Sequence, residues 1–282
     1  MDFVKGVFDL ANEFMNKSKY VKLDYSGIIE TAKLMKSNGT SSFNYDEEED
    51  KFKYCLFELV GNSINYCYWY GKSDIRPCGS SSRMMYTLLE KAFKNYQSFY
   101  NFADCIEDFI KLLALNRFPM LEERKNHLIE LIPEAEFLSE QLVQHNDDPT
   151  EYIETMIQIF PGYASDMFLK RLSLFFIQLN RRFGWFQNAM TYLHVPADYQ
   201  VPKKLRHYNC ITYSDDLSYL VDNELPIQKH SPQECEIRAA TILACKAFME
   251  YTGWGVGEID AWFWLKRNEI NKPFHLTITT DY

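Results

Sequence analysis

The chain has 282 residues, 46% of them hydrophobic and 16% aromatic, a composition that excludes a disordered chain and supplies apolar surface for a sizeable core. Glycine (11) and proline (10) are few for this length, which favours long helices over a turn-rich all-β fold. With 30 Lys and Arg against 39 Asp and Glu, the formal charge is −9, so the surface as a whole repels a polyphosphate backbone and long nucleic acid is not expected as a partner.

In chain order, Val7, Phe8, Leu10, Ala11 and Phe14 fall at helical spacing within residues 2–17 and predict an amphipathic helix. A second helix is expected from Ser26 to about Lys36, stopping at Ser37-Asn38-Gly39. The acidic run Asp46 to Asp50 reads as a solvated loop. Residues 51–70, KFKYCLFELVGNSINYCYWY, are rich in Tyr and Phe, and a short β element is expected near them. The same aromatics serve either as core lining or as a stacking wall for a flat ligand, with Asn62 or Asn65 offering an amide.

Further helices are expected from Ser82, from the stretch ending near Leu115, and from Phe118-Pro119-Met120 onward, where Glu122 and Glu123 occupy the first turn and suit the macrodipole. Asp148-Pro149-Thr150-Glu151 is a helix start. The most apolar helix is expected from about Ser165 to Phe183, interrupted by Lys170 and Arg171; a cation on a buried surface requires an anionic partner, in the protein or in a ligand. Ser214-Asp215-Asp216 caps a short helix, and Ser231-Pro232-Gln233-Glu234 is a capping box with proline at the first position. After the break at Gly253 to Gly257, the last helix begins near Glu258 and carries Asp260 among Trp262, Phe263 and Trp264.

One carboxylate stands out. Asp198 lies between Pro196 and Pro202, with Val195, Ala197, Tyr199 and Val201 around it. Proline fixes φ and turns the preceding residue away from the helical region, so Asp198 is expected on a short rigid connection. A carboxylate held there is either a helix cap or a piece of chemistry.

The seven cysteines (55, 67, 78, 105, 210, 235 and 245) include no CxxC spacing, and the six histidines form no HxxxH or HExxH arrangement. Reduced thiols and no zinc site are therefore expected. The first twenty residues contain no signal-peptide core, and no apolar run approaches 18 residues, which predicts a cytoplasmic chain with no membrane-spanning helix. The whole reads as one mainly α domain over residues 1–282, with ten or more helices, expected to be a monomer.

Several segments in this order resemble the queuosine-salvage glycosylases: Asn65-Tyr66-Cys67-Tyr68-Trp69, Pro119 through Arg124, Lys170-Arg171, Ala197 through Pro202, Tyr213 through Leu217, Gln233 through Arg238, Ile259-Asp260 with Trp264, and Pro273-Phe274-His275. Proteins of that family release the 7-deazaguanine base queuine from queuosine 5′-monophosphate. The resemblance implies an all-helical fold related to the helix-hairpin-helix DNA glycosylases, a small nucleotide substrate, and no metal or redox cofactor. By position, Asp198 matches the family's catalytic aspartate, Lys170 the lysine of its Lys-Arg-Ala-Gln segment, and Asp260 the acid before its tryptophan. On this reading Asn62 and Asp260 contact the base, Tyr66 and Tyr199 stack on it, and Lys170 with Arg171 meets the phosphate. The chain departs from the family where Asn62 stands at a position usually held by Asp, and where Leu172-Ser173 replaces Ala-Gln. Taken alone, the residues leave two alternatives open: a non-catalytic nucleotide- or base-binding protein, and a DNA-acting glycosylase, which the net charge disfavours.

Overall fold

The computed structural model describes residues 3–40, 50–70, 81–95, 99–266 and 272–282. The residues of the acidic run from Asp46 to Glu49 lie outside them. Fourteen α-helices are present among the described residues: α1 (Phe3–Asn16), α2 (Tyr25–Asn38), α3 (Lys51–Ser63), α4 (Ser82–Asn95), α5 (Phe99–Asp104), α6 (Ile106–Leu115), α7 (Leu121–Gln144), α8 (Thr150–Ile159), α9 (Pro161–Ala164), α10 (Lys170–Phe183), α11 (Gln200–His207), α12 (Asp215–Asp222), α13 (Pro232–Thr252) and α14 (Val256–Leu265). Two three-residue strands, β1 (Val21–Leu23) and β2 (Ile211–Tyr213), pair antiparallel with Lys22 opposite Thr212. The fold is mainly α, as composition leads one to expect. No described helix is long and apolar enough to cross a membrane.

The strand expectation near residues 51–70 is corrected. Residues 51–63 form α3, because Asp50 accepts the Lys53 N–H as N-cap and Cys55, Leu56, Leu59, Val60 and Ser63 recur on one buried face. Helical periodicity of burial overrides the β preference of the aromatics. The boundary before α10 also moves. Leu169 adopts a left-handed φ of 47°, so the helix starts at Lys170 rather than near Ser165, and the two cations occupy its first turn instead of its interior.

The chain forms two compact units, Met1–Tyr45 with Met167–Thr277, and Asp46–Asp166 with Ile278–Tyr282. In the first, α13 is the central helix: 14 of its 21 residues are buried, so it is apolar on nearly every side and α1, α2, α11 and α14 pack around it. Gly27 lies so close to the Asn209 carbonyl that a Cβ would stand 2.1 Å from it; any side chain there would push α2 off the turn before β2. In the second unit α3 packs along α7, with α4 and α6 beside them.

A buried carboxylate on α13 anchors β1. Glu236 accepts N–H groups from Lys19, Tyr20 (2.7 Å) and Val21 (3.0 Å) and the Ser18 hydroxyl (2.8 Å). Hydrogen bonds to a charged acceptor are among the strong ones. Glu236→Gln halves the acceptor capacity at this site, and urea unfolding is expected to show a loss of about 2 kcal/mol. An unchanged midpoint would mean that water replaces the carboxylate at no cost.

Candidate active site

The site residues read from the sequence divide between the units. Asp198, Tyr199, Lys170, Arg171 and Asp260 belong to the first, Asn62 and Tyr66 to the second.

Asp198 sits on the connection between a 3-10 turn at Asn188–Thr191 and α11. Its own N–H donates to the Pro196 carbonyl at 2.9 Å, and its Oδ1 accepts the Gln200 and Val201 N–H groups at 2.6 and 3.3 Å. The carboxylate thus caps α11 and is held rigidly by it. Among the described residues no hydrogen bond or ion pair reaches Oδ2. The cap and chemistry readings left open for Asp198 are therefore compatible: one oxygen fixes the group, and the other carries no bond among the described residues. Next to it, the Tyr199 ring packs on Phe274 at 4.7 Å between centroids.

Lys170 and Arg171 are both buried, at 4% and 2% exposure. Their location opposes ordinary electrostatics, since the positive end of a helix dipole disfavours cations. The residue before them is a leucine held in the left-handed region, a strain of roughly 1–2 kcal/mol that tends to gather at functional sites. Leu169 offers no side chain to cap the first N–H groups of α10. This end of α10 lies against the Asp198 connection. The Ser173 hydroxyl bonds the His194 carbonyl, and the Arg238 guanidinium, which donates to the Ala197 carbonyl at 2.9 Å, also lies 4.9 Å over the Phe168 ring.

Asp260 is set apart. Its Oδ2 pairs at 2.7 Å with Arg181, in the last turn of α10. Lys170 and Arg181 are eleven positions apart on that helix, which separates them by about 16 Å along the axis. A carboxylate bound to Arg181 therefore lies toward the opposite end of α10 from the buried cations.

In the second unit, Asn62 is fully buried, and its Nδ2 donates to the Glu58 carbonyl at 3.0 Å and to the Glu58 carboxyl at 3.3 Å. Tyr66, also fully buried, has the Arg124 guanidinium 4.5 Å over its ring and the His127 ring edge-on at 5.4 Å. Tyr86 donates to Glu58 at 3.0 Å. Burial pushes the Glu58 carboxyl up from its ordinary 4.5 to about 7, opposed by hydrogen bonds from Tyr86 and Tyr54. Since the native value exceeds the unfolded one, the folded state holds this proton more tightly between them; the resulting stability is present below the unfolded value and lost as pH rises through about 7. Relative to Glu58→Gln, wild type is expected to lose about 2.5 kcal/mol between roughly pH 5 and pH 8 in urea unfolding. A constant difference across that window would contradict a buried, protonated carboxyl.

Among the described residues no group of three or more His, Cys, Asp or Glu is placed to hold a metal ion. The six described cysteines are free thiols, five of them buried, and burial pushes those of Cys55 and Cys210 up to about 12 and 11; such thiols are poor nucleophiles. Sequence reading missed Arg238, Glu236, Glu58 and Arg124. Each carried one available signal, a charged residue on the apolar face of a helix: Arg238, for instance, lies between Ile237 and Ala239, four positions after the capping-box Glu234.

The described residues form a mainly helical protein that has a carboxylate capping α11 at Asp198 and two buried cations at the start of α10. The profile of the queuosine salvage protein family matches residues 109–275, well over half of the chain, and the chain belongs to that family. It is also 26% identical over 258 residues to a curated protein of Dictyostelium discoideum, the queuosine 5′-phosphate N-glycosylase/hydrolase, covering 79% of this chain and 77% of that protein.

Proposed function

We infer that this protein is an N-glycosidase that hydrolyses the bond between base and ribose in queuosine 5′-monophosphate or a closely related 7-deazaguanine nucleotide, releasing the base for salvage. The observation that carries this reading is the geometry of Asp198: Oδ1 is fixed by two backbone N–H groups, and Oδ2 has no bond within the described chain. Cleaving an N-glycosidic bond builds positive charge on the ribose C1′ and ring oxygen. A carboxylate already fixed on that side stabilises the transition state more than the ground state. At about 4 Å and an effective dielectric near 20 the interaction is on the order of 4 kcal/mol, roughly a thousandfold in rate. The same oxygen is suited to orient the attacking water and take its proton.

The remaining roles follow from charge and shape. The first N–H groups of α10, with Lys170 and Arg171, form an anion site for the 5′-phosphate, a use that accounts for two cations at the unfavourable end of a helix. Tyr199, backed by Phe274, offers a ring to the base. Asn62 and Tyr66 are assigned to base recognition through the resemblance, and Asp260, paired with Arg181, to the scaffold. The family match runs through segments of both units, which supports treating residues 1–282 as one functional domain.

The test is mass spectrometry of queuosine 5′-monophosphate incubated with the pure protein. Release of free queuine is expected, with the nucleotide preferred over the nucleoside. A ligand-induced rise in melting temperature with no turnover would overturn the enzyme reading and leave a base-binding protein of the same fold.

A further inference from the structure

We propose that Arg238 is the positioning residue for Asp198, setting the orientation of its carboxylate through the Ala197 carbonyl; this rests on the N-glycosidase reading above. Arg238 is fully buried in α13. Its Nε donates to the Ala197 oxygen at 2.9 Å, its Nη1 lies 3.5 Å from Glu234 Oε1 one turn earlier, and its guanidinium lies over Phe168. Glu234 is itself fixed: its Oε2 accepts the His230 N–H at 3.1 Å and the Cys235 thiol at 3.6 Å, while its own N–H donates to Ser231 at 3.3 Å. A chain of contacts therefore runs from the start of α13 to the peptide that carries Asp198: hydrogen bonds hold Glu234, an ion pair at 3.5 Å joins it to Arg238, and Arg238 bonds the Ala197 carbonyl.

The other hydrogen bonds of Asp198 itself are local. Asp198 N–H to Pro196, and Oδ1 to Gln200 and Val201, tie it only to its own neighbours. The Arg238 bond joins it to the central helix of its unit, and rotation of the 197–198 peptide would swing the carboxylate. Displacing a reacting group by about 1 Å costs on the order of a hundredfold in rate. Arginine suits this task because its planar fork holds direction at a carbonyl while a second edge meets a carboxylate; a lysine ammonium, a rotating point charge, does not.

The experiment compares wild type, Asp198→Asn, Arg238→Lys, Arg238→Met and the double variant Asp198→Asn/Arg238→Lys on queuosine 5′-monophosphate, with folding followed by circular dichroism. Arg238→Lys is expected to lower kcat by ten- to a hundredfold with KM within about threefold. In the Asp198→Asn background the same change is expected to have no further effect, because Arg238 acts through that carboxylate. Wild-type kcat in a folded Arg238→Lys variant, a loss confined to KM, or an undiminished effect in the Asp198→Asn background each overturns the proposal. Should Arg238→Met fail to fold, the lysine variant and the double variant still decide it. An active wild type with an inactive Asp198→Asn and fully active Arg238 variants sinks this proposal alone; an inactive wild type sinks the N-glycosidase reading, and this proposal falls with it.

Discussion

Asp198→Asn is expected to lower kcat for queuosine 5′-monophosphate by about a thousandfold or more while shifting the melting temperature little. Asparagine is as good a helix cap as aspartate, so its oxygen keeps the bonds to Gln200 and Val201 and α11 keeps its start. What disappears is the negative charge, which on the N-glycosidase reading supplies about 4 kcal/mol of transition-state stabilisation. The pair of variants then separates the two roles of the residue: Asp198→Ala is expected to show the same rate loss plus roughly 1 kcal/mol of stability, measured by urea unfolding. If Asp198→Asn kept a rate within tenfold of wild type, the carboxylate would be a cap and nothing more.

Arg124→Met is expected to destabilise the second unit by about 4 kcal/mol, a large part of the total stability of an ordinary domain. Arg124 is completely buried. Nε bonds the Pro119 carbonyl at 2.9 Å, Nη1 the Ile64 carbonyl, and Nη2 the carbonyls of Tyr66 and Cys67 at 2.6 and 2.7 Å. The guanidinium also lies 4.5, 5.3 and 5.6 Å from the ring centroids of Tyr66, Tyr68 and Phe118. Methionine fills much of the volume but leaves four carbonyls without this donor, and the turn at 64–67, which includes Cys67 at a left-handed φ of 30°, loses what holds it. Arg124→Lys is expected to recover only part of the loss, since three rotating donors do not match a planar fork. Calorimetry in which the two variants melt as wild type does would show that the turn is fixed by its aromatic packing instead.

Much of the helical architecture was legible because it follows from local chemistry. Ser231 accepts the Glu234 N–H and opens α13, Ser214 accepts the Leu217 N–H at the start of α12, and Asp24 caps α2. The failures share a cause. Lys51–Ser63 looked strand-like because Phe52, Tyr54 and Phe57 carry β preference, and the burial of one face against α7, with Asp50 as N-cap, makes the segment helical. The start of α10 was placed too early because nothing in Ser165–Leu169 marks the left-handed turn at Leu169.

For the site, residue types and spacing singled out Asp198, Lys170 and Arg171, since a carboxylate between prolines and two cations in an apolar helix are anomalies that need no neighbours to be noticed. Which oxygen of Asp198 is held and which is left open, that Asp260 pairs with Arg181 away from the buried cations, and that Arg238 and Arg124 grip carbonyls 41 or more positions away in the chain were decided by tertiary structure alone. Caps and periodicity act within a few residues and are written in short stretches of sequence. The partners of a buried charge are chosen by packing, which brings together groups whose order in the chain carries no trace of the meeting.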